Sequence, residues 1–84
     1  MWYVYILRCG DDTLYTGITT DLDRRVYEHN NSPKAAKYTR IRRPLELIYF
    51  ESCEHKSRAS KREYEIKRLS RTEKLFLASS MLNL

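Results

Sequence analysis

A chain of 84 residues has the length of one domain, and at that size folding buries only about 60% of the surface the extended chain exposes, which excludes a large core or a many-part machine. Two glycines, two prolines and 42% hydrophobic residues describe a globular protein, not a disordered or fibrous one. Sixteen Lys and Arg against eleven Asp and Glu leave a formal charge of +5, which suits a polyanion such as nucleic acid, although a solvated surface uses the same charges.

The first seven residues are apolar apart from tyrosine hydroxyls, but they lack a basic leader and are too short to span a bilayer. No membrane association is expected from them. Cys9 and Cys53 have no metal-ligand spacing and read as reduced thiols, so the expected location is cytoplasmic.

Trp2 to Leu7 alternates, with Trp2, Val4 and Ile6 on one face and Tyr3, Tyr5 and Leu7 on the other, all of strand-favouring type. Cys9-Gly10-Asp11-Asp12 supplies a turn, and Thr13 to Ile18 returns with Tyr15 and Gly17 on one face. Thr20 reads as an N-cap with Asp23 in the first turn. Leu22, Val26 and His29 then recur at helical spacing until Asn30-Asn31-Ser32-Pro33.

Residues 34–44 read as a basic connecting loop closed by Pro44, and Leu45 to Glu51 as a third strand with Ile48 and Phe50 opposite Leu47 and Tyr49. A helix over Lys56 to Leu69 follows. Ser70 with Glu73 forms a capping box that starts another helix through Leu77, and Ala78 to Leu84, which holds Asn83, is expected to fray. The order β-β-α-β-α-α predicts an α+β fold, a small three-stranded antiparallel sheet flanked by helices, as a single domain over 1–84 with its core at about 2–77.

Leu22, Arg25, Val26 and His29 fall at i, i+3, i+4 and i+7, so a guanidinium and an imidazole share the face of the apolar anchors, while Arg24 points away and can pair with Glu28. An arginine there either snorkels past the core edge or meets an anion, for which a phosphate is the natural partner. The histidine alternatively caps carbonyls at the helix end. Glu63 lies within the stripe of Ala59, Ile66 and Leu69, where it serves either as one carboxylate for Mg²⁺ or in an ion pair with Arg62, Lys67 or Arg25. Tyr5 and Tyr15 are either packing residues or, as neighbours across the hairpin, two hydroxyls at one pocket, and Gly17 leaves room there for a close approach.

Tyr5 in Tyr3-Val4-Tyr5, Tyr15 and Gly17 in Tyr15-Thr16-Gly17, Arg25 eight residues after that glycine, His29 four further on and the helical Glu63 together resemble the signature of the GIY-YIG nucleases. The family's motifs read Gly-Ile-Tyr and Tyr-Ile-Gly, so the departures fall between the functional side chains, and a C-terminal asparagine present in many members has no clear equivalent. The likeness spans about residues 2–77 and is greatest to the stand-alone, single-domain bacterial members. It implies a Mg²⁺- or Mn²⁺-dependent endonuclease acting on DNA in repair or recombination, with or without selectivity for DNA structure. Tyr5 would act as general base, Tyr15 would position the water, Arg25 would bind the scissile phosphate, His29 would assist proton transfer and Glu63 would hold the metal.

Lys37, Tyr38, Arg40, Arg42 and Arg43 are expected to grip the nucleic-acid backbone without sequence choice. The alternative is a catalytically silent nucleic-acid-binding module of the same fold. A third reading is a protein-interaction domain anchored by exposed tyrosines.

Overall fold

The computed structural model describes residues 1–82; Asn83 and Leu84 lie outside the described residues. Strand β1 (Trp2–Arg8) is central, antiparallel to β2 (Leu14–Thr19) on one side and to β3 (Glu46–Cys53) on the other. Helices α1 (Leu22–Asn31), α2 (Lys37–Arg40), α3 (Lys56–Lys67) and α4 (Arg71–Leu82) complete the chain. The order and the antiparallel sheet are those the sequence predicts, with the short α2 added inside the basic segment.

The alternation of β1 divides the core in two. Val4 and Ile6 face Ala59 and Ile66 of α3 and Ala78 of α4, whereas Tyr5 and Leu7 face the other way, with Leu22 and Val26 of α1 packed against them. The sheet is therefore a middle layer, and a fully buried Ile6 or Ile66 contributes about 1.5–3 kcal/mol of apolar burial.

Three local expectations give way to specific interactions. The N-cap of α1 is Asp21, not Thr20: its side chain accepts from the Arg24 backbone N–H at 3.1 Å, and the Thr19 hydroxyl accepts from the Asp21 N–H. In β3 a register shift between Ile6 and Leu7 lets Ile6 pair with Tyr49 and Leu7 with Leu47. Ile48 is the extra residue of this bulge, so Tyr49 joins the α3 side while Leu47 joins the α1 side, and the simple alternation expected for this strand is broken. At the C-terminus, Ser70 and Glu73 exchange side-chain and backbone bonds as a capping box, and α4 continues through Ala78 to Leu82, where fraying was expected.

Candidate active site

Tyr5 pairs with Gly17 and Leu7 with Tyr15 across the hairpin, so the two tyrosines are diagonal neighbours on the α1 face. The Tyr5 ring lies over Gly17: a Cβ there would sit 2.6 Å from the Tyr5 hydroxyl and 2.8 Å from Cζ, and 3.2 Å from a Tyr15 ring carbon. The space that the glycine opens is filled by the phenol instead of being left for a ligand.

At the end of that ring, Tyr5 Oη lies 2.8 Å from His29 Nε2, and His29 Nδ1 lies 2.6 Å from Thr39 Oγ1. All three residues are at most 1% exposed. The Thr39 hydroxyl also reaches the Ala36 carbonyl at 3.0 Å. The assignment that satisfies every buried group has Thr39 donating to that carbonyl and accepting from His29 Nδ1–H, while Tyr5 O–H donates to Nε2. Burial is the main cause that pushes the His29 pKa down to about 4, aided by Arg25, so the imidazole is neutral at neutral pH. Burial likewise pushes Tyr5 up to about 12; Tyr15 and Glu63 add to this and Arg25 opposes it.

Arg25 and Glu63 come from helices on opposite sheet faces, Arg25 from α1 on the Tyr5 side and Glu63 from α3 on the other. Arg25 Nη1 donates to Glu28 at 3.0 Å and to the Lys34 carbonyl at 3.2 Å. It is Arg25, not Arg24, that takes Glu28. Burial opposes the charge on Arg25, but the hydrogen bond to Glu28 and the nearby Tyr5 oxygen favour it and raise its pKa. Glu63 is half-buried, and its ion partner is Lys67 at 3.4 Å, one of the pairings the sequence allowed. Tyr15 closes the group, with its ring 5.3 Å from the imidazole and 6.5 Å from the Tyr5 ring.

The basic segment is less free than its composition suggests. Arg43 Nε donates to the His29 carbonyl at 2.7 Å and Nη2 to the Ser32 carbonyl at 2.6 Å, so this side chain, not His29, caps the end of α1. Its expected grip on nucleic acid gives way to that structural duty. Arg42 is held by Asp11 at 3.1 Å and lies 3.8 Å over the Tyr38 ring, which in turn stacks on Tyr15 at 6.0 Å. Arg40 reaches the Pro33 carbonyl at 3.3 Å, and it and Lys37 are exposed.

Sequence reasoning missed Thr39 and Asn30. Thr39 lay in a stretch read as loop, and nothing in Lys37-Tyr38-Thr39-Arg40 marks a buried hydroxyl. Asn30 read as a helix stop, yet its amide exchanges bonds with the Leu45 backbone at 2.7 and 3.0 Å, tying α1 to the start of β3.

A UPF0213 protein of Desulfotalea psychrophila is 58% identical over 79 residues, covering 94% of this chain and 72% of its own. One of Staphylococcus saprophyticus is 53% identical over 77 residues, covering 92% and 93%. Among solved structures, the UPF0213 protein BH0048 of Bacillus halodurans, determined by solution NMR, is 50% identical with a TM-score of 0.58, covering 94% of this chain and 84% of its own. The E. faecalis protein EF2693, also an NMR structure, is 38% identical with a TM-score of 0.60, covering 95% and 85%. The GIY-YIG catalytic domain matches residues 1–75, and with that match over most of its length the chain belongs to the GIY-YIG family.

Proposed function

We propose that the protein is a metal-dependent endonuclease that hydrolyses DNA phosphodiester bonds, selecting for DNA structure, in repair or recombination. Membership of the nuclease superfamily implies a nucleic-acid substrate; DNA, the metal and the cellular role are the proposal. The observation that carries it is the buried hydrogen-bonded chain Tyr5–His29–Thr39 in a sequence that matches the GIY-YIG catalytic domain over residues 1–75.

The chemistry of the donor set fits a hard divalent cation. Glu63 is a half-buried carboxylate whose partner is the exposed ammonium of Lys67, and Mg²⁺ typically takes one or two carboxylates, substrate oxygens and several waters. No group of three or more His, Cys, Asp or Glu side chains is suited to a closed metal cage among the described residues. When bound, the cation supplies Lewis-acid stabilisation of the phosphoryl oxygens and positive charge near Tyr5.

The residues then divide the work. Arg25 binds the scissile phosphate through the part of its fork that Glu28 leaves free, and stabilises charge that builds on the phosphoryl oxygens. Tyr15 orients the attacking water. Tyr5 takes the water's proton as its own passes to His29 Nε2, so no phenolate has to persist at rest. Phosphate on Arg25 offsets the positive charge that helps hold the His29 pKa down, easing that transfer.

A second reading, the silent binding module, is favoured by the resting titration of the pair, since a phenol near 12 and an imidazole near 4 keep the proton firmly on Tyr5. Incubating the pure protein with branched, single-stranded and duplex DNA in Mg²⁺ or Mn²⁺, beside Arg25→Ala, decides the matter. Cleavage by the wild type alone supports the nuclease; salt-dependent binding with no cleavage on any substrate supports the module.

A further inference from the structure

The open edge of β2 carries a second cluster that the mechanism above does not use. Here a shallow cleft of about 270 Å³ is floored by Leu14, Tyr15 and Thr16, walled on one side by Tyr38 and on the other by Lys67 and Lys74. The β1–β2 turn holds both walls. Asp11 fixes Arg42, which lies on the Tyr38 ring, and Asp12 accepts from Arg71 at 2.6 and 3.1 Å, which anchors the first turn of the helix that bears Lys74. The cleft is thus a built gap between α2 and the α3–α4 corner, with Tyr15 shared between it and the catalytic group.

Its two ammonium groups are differently placed. Lys74 is half-buried and has no carboxylate within ion-pair distance among the described residues. Lys67 pairs with Glu63 at 3.4 Å, and its own side chain is 55% exposed. A contact between an exposed lysine and a carboxylate one helical turn away is weak in water, so it yields readily to a better cation or anion.

We propose that Lys67 and Lys74 form a phosphate-binding subsite for the nucleic-acid backbone in this cleft, and that Lys67 is the ammonium that neutralises Glu63 until a divalent cation displaces it towards that phosphate. The inference rests on the nuclease reading for the metal step and on the cleft alone for the phosphate step. The substrate backbone then runs along the β2 edge, flanked by the Tyr38–Arg42 stack and by the two lysines, with the scissile phosphate beside Arg25. One cation is exchanged for another at Glu63, so binding of metal and of backbone become cooperative: Lys67 leaves the carboxylate for the phosphate that the metal helps to recruit.

The test uses fluorescein-labelled DNA oligonucleotides, single-stranded and duplex, bound in EDTA across a salt series. Lys74→Gln should weaken binding roughly three- to tenfold at low salt and lower the salt slope by about one, and Lys67→Gln, whose ammonium stays on Glu63 without metal, should do so by a smaller amount. Lys74→Arg should restore both, and Lys61→Gln, which lies in a different cleft on α3, should change neither. A Mn²⁺ titration without DNA, followed by water-proton relaxation, gives the second readout: Lys67→Gln should bind Mn²⁺ severalfold more tightly and Lys74→Gln should match wild type. Unchanged slopes in both lysine variants, with wild type still binding DNA, overturn the subsite and leave the nuclease reading standing. Equal or weaker Mn²⁺ affinity in Lys67→Gln overturns the exchange. Wild type that binds no DNA overturns the subsite and the nuclease reading together.

Discussion

The phenol of Tyr5 and the imidazole of His29 meet at 2.8 Å, 24 residues apart in sequence, with Tyr5 1% exposed and His29 wholly buried. Everything else in the candidate site is arranged around that bond. Gly17 makes space for the phenol, Thr39 fixes the imidazole from behind, and Arg43 locks the helix end from which His29 projects. The bond therefore reports on both stability and chemistry, and the predictions separate the two.

The first prediction concerns acid. His29 has its folded pKa lowered to about 4 from an unfolded value near 6.5, so between these values the unfolded chain binds the extra proton. Its contribution is complete above about pH 6.5 and is lost as pH falls through 4, on the order of 3 kcal/mol in all. Thermal melts at neutral pH, in the middle of that window and at its acid end should show a progressive fall. His29→Gln should be less stable at neutral pH yet show a flatter decline, and a parallel decline in both proteins would remove His29 as the cause.

Gly17→Ala is the second. A methyl group 2.6 Å from the Tyr5 hydroxyl cannot be accommodated without moving the phenol, and overpacking of this kind costs about 1–3 kcal/mol. The phenol is the movable partner, so the Tyr5–His29 bond breaks. We expect a lowered Tm and, by NMR, an altered His29 ring environment; a variant with the wild-type imidazole signals would show that the strand shifts instead.

The fold was legible because its main signals are local. Alternation in Trp2–Leu7, the Gly10-Asp11-Asp12 turn and the Ser70/Glu73 box each specify their element within a few residues, and helical phasing placed Arg25 and His29 on one face. What was not legible depends on contacts distant in sequence. The bulge at Ile48 lets β3 face both cores, the Arg43 cap needs the end of α1 brought beside residue 43, and Thr39 meets its partner His29 only once α1 and α2 are folded together. Tyr38 and Arg42 read correctly as belonging to one basic, aromatic segment, but their stack on Tyr15 follows from the Asp11–Arg42 pair across 31 residues, which no short-range pattern encodes.

Arg43 and Arg40 give the third prediction, since two members of one basic segment do different work. Arg43→Ala leaves the carbonyls of His29 and Ser32 without their charged donor and should cost about 2 kcal/mol of stability. Arg40→Ala should leave stability within about 0.5 kcal/mol while reducing DNA affinity and its salt slope. Urea titrations and salt-dependent binding on both variants check the division, and the opposite pattern would return Arg43 to the nucleic-acid grip.

The fourth separates enzyme from binder. Glu63→Ala removes the carboxylate proposed to hold the metal, but it also removes a negative charge from a basic surface and frees Lys67. Metal-dependent cleavage should therefore vanish while DNA binding in EDTA is retained or slightly strengthened. Arg25→Ala loses the guanidinium that acts on Tyr5 and is proposed to stabilise the phosphoryl charge, and a loss on the order of 10²-fold or more in cleavage rate is expected. Because Arg25 also bonds Glu28 and the Lys34 carbonyl, Arg25→Lys is the needed companion: it keeps the charge and the helix but not the two-pronged fork, so it should fold like wild type and still cleave slowly. Cleavage by both Ala variants at the wild-type rate would assign the activity to a contaminating nuclease. Wild type that binds DNA but cuts none of the branched, single-stranded or duplex substrates would leave Tyr5 and His29 as a buried structural pair, with the exposed cations and the tyrosine stack as the functional surface.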